Sequence, residues 1–267
     1  MKSRLDEKDL ENAFRTAQLE GIQHLLLHSS LSSLGHVQGG AHTVIDALIT
    51  VLGRDATLMV PTFNYCLSEQ DTFDPNTTPS QTGAIPEALR KYPESIRSRH
   101  PTFSVAVLGP DAAALTEHHW QAEPVGVDSP IDRLARKGGS VMLMGVKHDA
   151  NSTIHVAEAY AAVPYRGVPF DPSWPRTARC RLADGECIEV DLQMEPGCST
   201  AFGAVELPLR ESQSIRDFKV GQCNCQLMKA MDVIETTERL LERDVSILLC
   251  SNPACKFCPP AREAMYT

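Results

Sequence analysis

His155 and Glu158 stand three residues apart in the run NSTIHVAEAYA. If that run is helical, the two side chains share a face. A carboxylate beside an imidazole orients the ring and raises its basicity, which is what a general base requires. Ordinary surface pairs have the same spacing, so spacing alone leaves both readings open. A second group is the HSSLSSLG run at residues 28–35, followed by Gly39 and Gly40. Between a strand and a helix, free backbone N–H groups and the positive helix end attract an anion, and small residues let a phosphate approach. The run is neither a Walker A loop nor Gly-x-Gly-x-x-Gly. A Ser/Gly-rich turn with caps is the other reading.

Two further groups carry chemistry. Arg97, Ser98, Arg99 and His100 offer charge-assisted bonds to a phosphate or carboxylate, or form a solvated basic loop. Cys250, Cys255 and Cys258, with Cys223 and Cys225 upstream, have the means to give zinc four thiolates. They equally read as buried structural thiols. Covalent catalysis finds little support, a Cys–His acyl-enzyme being the form left open. There is no Gly-x-Ser-x-Gly elbow, and Cys66 has no companion pattern. His24, His36, His42, His118, His119 and His148 form no His-Glu-x-x-His ligand set and read as polar or capping residues.

The elements that must position these groups follow from periodicity. Residues 5–20 read as a helix stopped by Gly21, and residues 22–28 as a buried strand. Residues 41–52 are helical up to Gly53, and ATLMV is a strand running into Pro61. A loop at 64–82, a short helix at 83–91 and a strand at 103–108 come next. Pro110 opens a helix, and Ser129-Pro130 supplies an N-cap with proline at the first helical position. Residues 141–146 form a core strand and 152–162 a helix. His155 and Glu158 thus fall just past the C-terminal end of a core strand, where open α/β sheets hold their ligand crevice.

After Pro164 the pattern changes. RCRLADGECIEV alternates around Asp184-Gly185 as a hairpin, and FKVGQCNC reads as one more strand. Leu227, Met231, Ile234 and Leu241 fit a helix. The expectation is one α/β domain over residues 1–267, a central mixed sheet flanked by helices with an antiparallel hairpin addition in the C-terminal half.

Charge narrows the partners. With 34 acidic and 25 basic residues in 267, the net charge is −9. That argues against a nucleic acid and suits a cationic substrate. No apolar run is long enough to span a bilayer, and MKSRLDEKDLENAF lacks an apolar signal region. Nine cysteines without such a signal fit reduced thiols or metal ligands in a cytoplasmic protein. Oligomeric state is not legible, a homodimer being one option.

Taken in order, HSSLSSLGHVQGGAHTVIDAL, TLMVPTFNY, GAIPEALRKYPESIRSRHPTFSVAVLG, GVDSPIDRL and GVKHDANSTIHVAEAYA resemble the aminoglycoside 3-N-acetyltransferase family, collinearly over roughly residues 22–167. The resemblance thins beyond about residue 170, where MEPGCSTAFGAVELPLRE and the cysteine tail look like a divergent branch. It implies an acetyl-CoA-dependent N-acetyltransferase with a fold distinct from the GNAT enzymes. By the same resemblance, Ser29, Ser30, Leu31, Ser32, Gly39 and Gly40 would hold the CoA phosphates. Thr62, Ser98, Phe103, Ser104 and Val105 would line the pantetheine path. His155 would be the catalytic base oriented by Glu158, with Asp149 and Asn151 on the acceptor side and Glu123 at an acidic rim. The acceptor would be an amine of an aminoglycoside. The alternatives are another amine, such as a natural-product intermediate, or a CoA-binding scaffold without turnover.

Overall fold

Three short apolar runs, HLLLHS, TLMVP and SVMLM, form the middle of the molecule. The computed structural model describes residues 4–65, 71–192 and 194–266, so Cys66 lies outside the described residues. The strands, in chain order, are β1 (Arg4–Leu5), β2 (His24–Ser29), β3 (His36–Val37), β4 (Thr57–Pro61), β5 (Thr72–Phe73) and β6 (Ile96–Arg97). They continue as β7 (Val105–Leu108), β8 (Ser140–Met144), β9 (Thr177–Arg181), β10 (Cys187–Asp191), β11 (Arg216–Val220) and β12 (Cys223–Lys229). The helices are α1 (Glu7–Thr16), α2 (Ala41–Leu52), α3 (Ala84–Arg90), α4 (Ala112–Thr116) and α5 (Pro130–Arg136). After them come α6 (Thr153–Tyr160), α7 (Glu206–Glu211), α8 (Ala230–Arg243) and α9 (Cys258–Ala264).

The main sheet has the order β11-β12-β8-β2-β4-β7-β6. Its centre, β8-β2-β4, is parallel, with Leu26 opposite Met59 and Val141. Parallel strands are covered on both faces, which is why their sequences are continuously apolar. Successive side chains then serve two different cores. Leu26, Met59, Val141 and Leu143 point into one, with Ile131 of α5, Ile154 of α6 and Val233 of α8. Leu25, Leu27, Leu58, Met142 and Met144 point into the other, with Phe14 of α1, Leu48 of α2 and Leu89 of α3. Antiparallel strands extend both edges: β7 and β6 on one side, β12 and β11 on the other. A separate small sheet, β10-β9-β5, carries the hairpin around Asp184-Gly185. This is the expected α/β architecture, a mixed central sheet flanked by helices with a hairpin addition.

Several expectations are corrected. FKVGQCNC is not one strand but the turn of a hairpin, β11 and β12 reversing at Gly221, whose φ is +59°. Leu227 is not helical. It lies in β12 opposite Met142, and the helix starts only at Ala230. Short apolar runs fit either period, and here pairing with the buried β8 decides. Pro110 does not open its helix, which starts at Ala112 after Asp111. Gly109 just before it is left-handed at φ +123°, and a Cβ there would come within 2.3 Å of the Ala56 carbonyl oxygen. Among the described residues, no helix is long and apolar enough to cross a membrane.

Candidate active site

A cleft of about 460 Å³ opens at the C-terminal ends of the three parallel strands. Each strand contributes residues at or beyond its C-terminal end: His28 and Ser29 at the end of β2, Phe63 and Tyr65 after β4, Val146, Asp149 and Asn151 after β8. The opposite wall comes from Phe170, Trp174 and residues 196–202. Aromatic contacts stiffen both sides of the cleft. Phe63 meets Phe103 edge-on at 4.8 Å, and Phe170 lies 5.2 Å from Trp174.

His155 lines the cleft from the first turns of α6. Its Nδ1 lies 2.6 Å from Glu158 Oε2, the short contact of an imidazole held by a carboxylate. The other oxygen of Glu158 accepts a 3.0 Å hydrogen bond from the buried Tyr165 hydroxyl. Burial, with Glu158 alongside, pushes that phenol far above its usual range, so it stays a donor. Phe202 packs edge-on against the His155 ring at 4.7 Å. The imidazole is thus fixed on three sides: by Glu158, by the Phe202 ring and by its own helix. With Nδ1 engaged, Nε2 is the nitrogen left to take a proton.

At the start of α6 the side-chain contact comes from Asn151, its Oδ1 accepting from Thr153 N at 3.2 Å. Asn151 also reaches His148 Nδ1 at 3.4 Å. Asp149 stands exposed at the cleft rim. Glu123 lies 2.5 Å from Arg166, in an ion pair.

The strand-to-helix junction after β2 has the expected form. Ser30, Ser32 and Ser33 form a hydroxyl cluster at 3.0–3.1 Å around a 3-10 turn, and Ser33 is tied to the Gly145 carbonyl. Gly39 and Gly40 both have positive φ, and Gly40 begins α2 with no side chain capping its first amides. Ser29 Oγ and His28 Nε2 are buried without a hydrogen-bond partner. Desolvation, then the nearby His148, lowers His28 to about 3, so this floor is uncharged.

Residues expected along the pantetheine path divide. Phe103 lines the cleft, whereas Thr62, Ser98, Ser104 and Val105 are buried behind it. Thr62 Oγ1 pairs with Ser104 Oγ at 3.1 Å, and Ser98 Oγ with His119 Nδ1 at 2.8 Å. Arg97 is not a solvated anion binder. It is buried, donates to the Thr62 carbonyl at 2.7 Å and Ser104 Oγ at 2.9 Å, and lies over the Phe73 ring. The cysteine group is also rearranged. Cys250, Cys255 and Cys258 converge with Cys198, while Cys223 and Cys225 lie on β12 in the other core.

A sequence model of the family described as aminoglycoside 3-N-acetyltransferase matches residues 26–242. The chain belongs to this family. The match passes well beyond residue 170, and membership makes the chain an acetyltransferase. It is 33% identical over 228 residues to aminoglycoside N(3)-acetyltransferase IV from Salmonella sp., covering 84% of this chain and 83% of that one. Among solved structures it is similar to a histidine-to-alanine mutant of aminoglycoside acetyltransferase AAC(3)-IVa in complex with a gentamicin. The TM-score is 0.86 at 30% identity, with 99% of each chain covered. A binary complex of AAC-IIIb with CoASH shares the fold, with a TM-score of 0.77 at 22% identity over 90% of this chain and 97% of that one.

Sequence reasoning missed Tyr165, Phe202, Trp174 and Cys198 at this site. Trp174, Cys198 and Phe202 come from segments well separated from α6 in sequence, Tyr165 from the turn just after α6, and no local spacing signals them.

Proposed function

We propose that this chain transfers the acetyl group of acetyl-CoA to the 3-amine of an aminoglycoside, directly and with His155 as general base. The observation that carries this reading is the His155 Nδ1–Glu158 Oε2 contact of 2.6 Å inside the cleft. Support for the two substrates comes from the neighbours that bind a gentamicin and CoASH.

The chain's own residues fit acetyl-CoA. The uncapped start of α2, the Ser30–Ser33 hydroxyls and the orphaned Ser29 Oγ offer donors to phosphate and amide groups. No side chain fills the space above Gly40, where an added Cβ would meet nothing within 4 Å. Acetyl-CoA, when bound, supplies a thioester carbonyl. Asp149 at the rim and the net charge of −9 draw a polyamine toward the cleft. His155 Nε2 accepts the amine proton as the new N–C bond forms and the C–S bond breaks. Glu158 stabilises the imidazolium, and Tyr165 keeps Glu158 in place. The proton leaves with the CoA thiol. The aromatic wall of Phe63, Phe103 and Trp174 keeps water from competing for the thioester.

The test is thiol release from acetyl-CoA across a panel of aminoglycosides and other amines, with the acylated nitrogen located by NMR. Release with an aminoglycoside, modified at the 3-amine, is expected. Release only with another amine would overturn the acceptor, and CoA binding without release would overturn the enzyme reading.

A further inference from the structure

The four sulfurs of Cys198, Cys250, Cys255 and Cys258 lie within 4.8 Å of one another, and three of the four residues are buried. Cys198 and Cys250 Sγ are 3.9 Å apart. A tetrahedral zinc with sulfur at about 2.3 Å requires sulfurs roughly 3.8 Å apart. Backbone amides already point at three of these sulfurs. Cys250 N donates to Cys258 Sγ at 3.2 Å, Cys258 N to Cys255 Sγ at 3.4 Å, and Thr200 N to Cys198 Sγ at 3.5 Å. The Cys255-Lys-Phe-Cys258 spacing also matches half of a structural zinc site.

We propose that Cys198, Cys250, Cys255 and Cys258 bind one zinc ion as a closed tetrathiolate site that clasps the C-terminal segment to the wall of the cleft. On binding, four thiols give up their protons to solvent and form four Zn–S bonds, with no change in oxidation state. With four protein ligands the site has no open position, so its role is structural.

What the clasp holds can be followed residue by residue. Cys198 lines the cleft with Ser199 and Thr200, just before Phe202 on the His155 ring. Lys256, between the two tail cysteines, pairs with Asp171 beside the wall residue Phe170. Phe257 next to it packs so closely on Gly197 that an added Cβ would fall 2.2 Å from the ring. Phe257 also stands edge-on to Tyr165 at 6.2 Å, and Tyr165 holds Glu158. The metal therefore fixes this wall of the cleft and, through Phe257 and Tyr165, the partner of His155.

The test begins with the full-length protein purified from zinc-supplied medium, and its first readout is independent of activity. About one equivalent of zinc per chain is expected. Exchange for cobalt should give the intense visible bands of a tetrahedral tetrathiolate. Cys198→Ser and Cys255→Ser should bring zinc to background, while Cys187→Ser, on the remote hairpin, keeps the full equivalent. Chelation should lower the melting temperature and expose the C-terminal segment to protease. If the cysteine variants fail to fold, the wild-type metal content and cobalt spectrum still decide. Background metal in the wild type, with these cysteines reacting as free thiols or recovered as disulfides, would overturn the proposal. So would undiminished zinc in a folded Cys198→Ser protein.

Discussion

Tyr165 donates its hydroxyl to Glu158 at 3.0 Å, occupying the carboxylate oxygen that His155 does not use. Glu158 is therefore held from two sides, and its orientation is set by a residue on the loop that follows α6. Tyr165→Phe removes one net hydrogen bond, on the order of 1 kcal/mol, so kcat should fall about five-fold. Glu158→Gln should cost more, because the imidazolium loses its anionic partner. Steady-state kinetics at fixed pH check both. Tyr165→Phe with wild-type kcat would mean that the hydroxyl does not position Glu158.

The phosphate-cradle assignment has a separate test. Gly40 sits at φ +68° and ψ −138°, a region side chains avoid, so substitution there strains the backbone. Ser30 and Ser32 at the surface turn carry no such penalty. Replacing both with Asp puts two negative charges beside the phosphates, and each like-charge contact costs about 1 kcal/mol near 4 Å in water. CoA affinity by calorimetry should fall by roughly ten-fold or more for the pair. Unchanged affinity in the folded double variant would remove this loop from the site.

Acid should destabilise the fold through its buried histidines. Burial lowers His28 to about 3 and His119 to about 4, and holds His100 and His148 below their usual value. Between about pH 4 and 6.5 the unfolded chain binds protons that the folded chain refuses, so stability rises with pH and is lost as pH falls. Each histidine adds a slope approaching 1.4 kcal/mol per pH unit, about one proton's linkage. Glu195 works in the opposite sense. Burial raises it to about 7, so its contribution is lost as pH rises from 4.5 toward 7. Urea melts across this range should show a net positive slope, flattened in His28→Gln. A slope of the reverse sign would contradict the neutral histidine floor.

The legible parts of the molecule are those written in local pattern. β2, β4 and β8 are continuous apolar runs because they are buried on both faces, and His155–Glu158 is an i,i+3 pair that needs only a helix. The β11–β12 hairpin is illegible because its identity as strand depends on pairing with β8, not on its own period. Cys198 lies 52 residues from Cys250, and Phe202, Tyr165 and Phe257 reach the site through tertiary packing alone. Arg97 reads as a ligand for anions, but the same donors satisfy buried carbonyl and hydroxyl oxygens once the strand is in place.

Single-turnover and steady-state kinetics of His155→Ala bear most directly on the mechanism. The variant should fold, bind acetyl-CoA with nearly wild-type affinity, and lose roughly two to four orders of magnitude in kcat, the range typical of a missing general base. A folded His155→Ala protein that acetylates its amine at the wild-type rate would contradict the account.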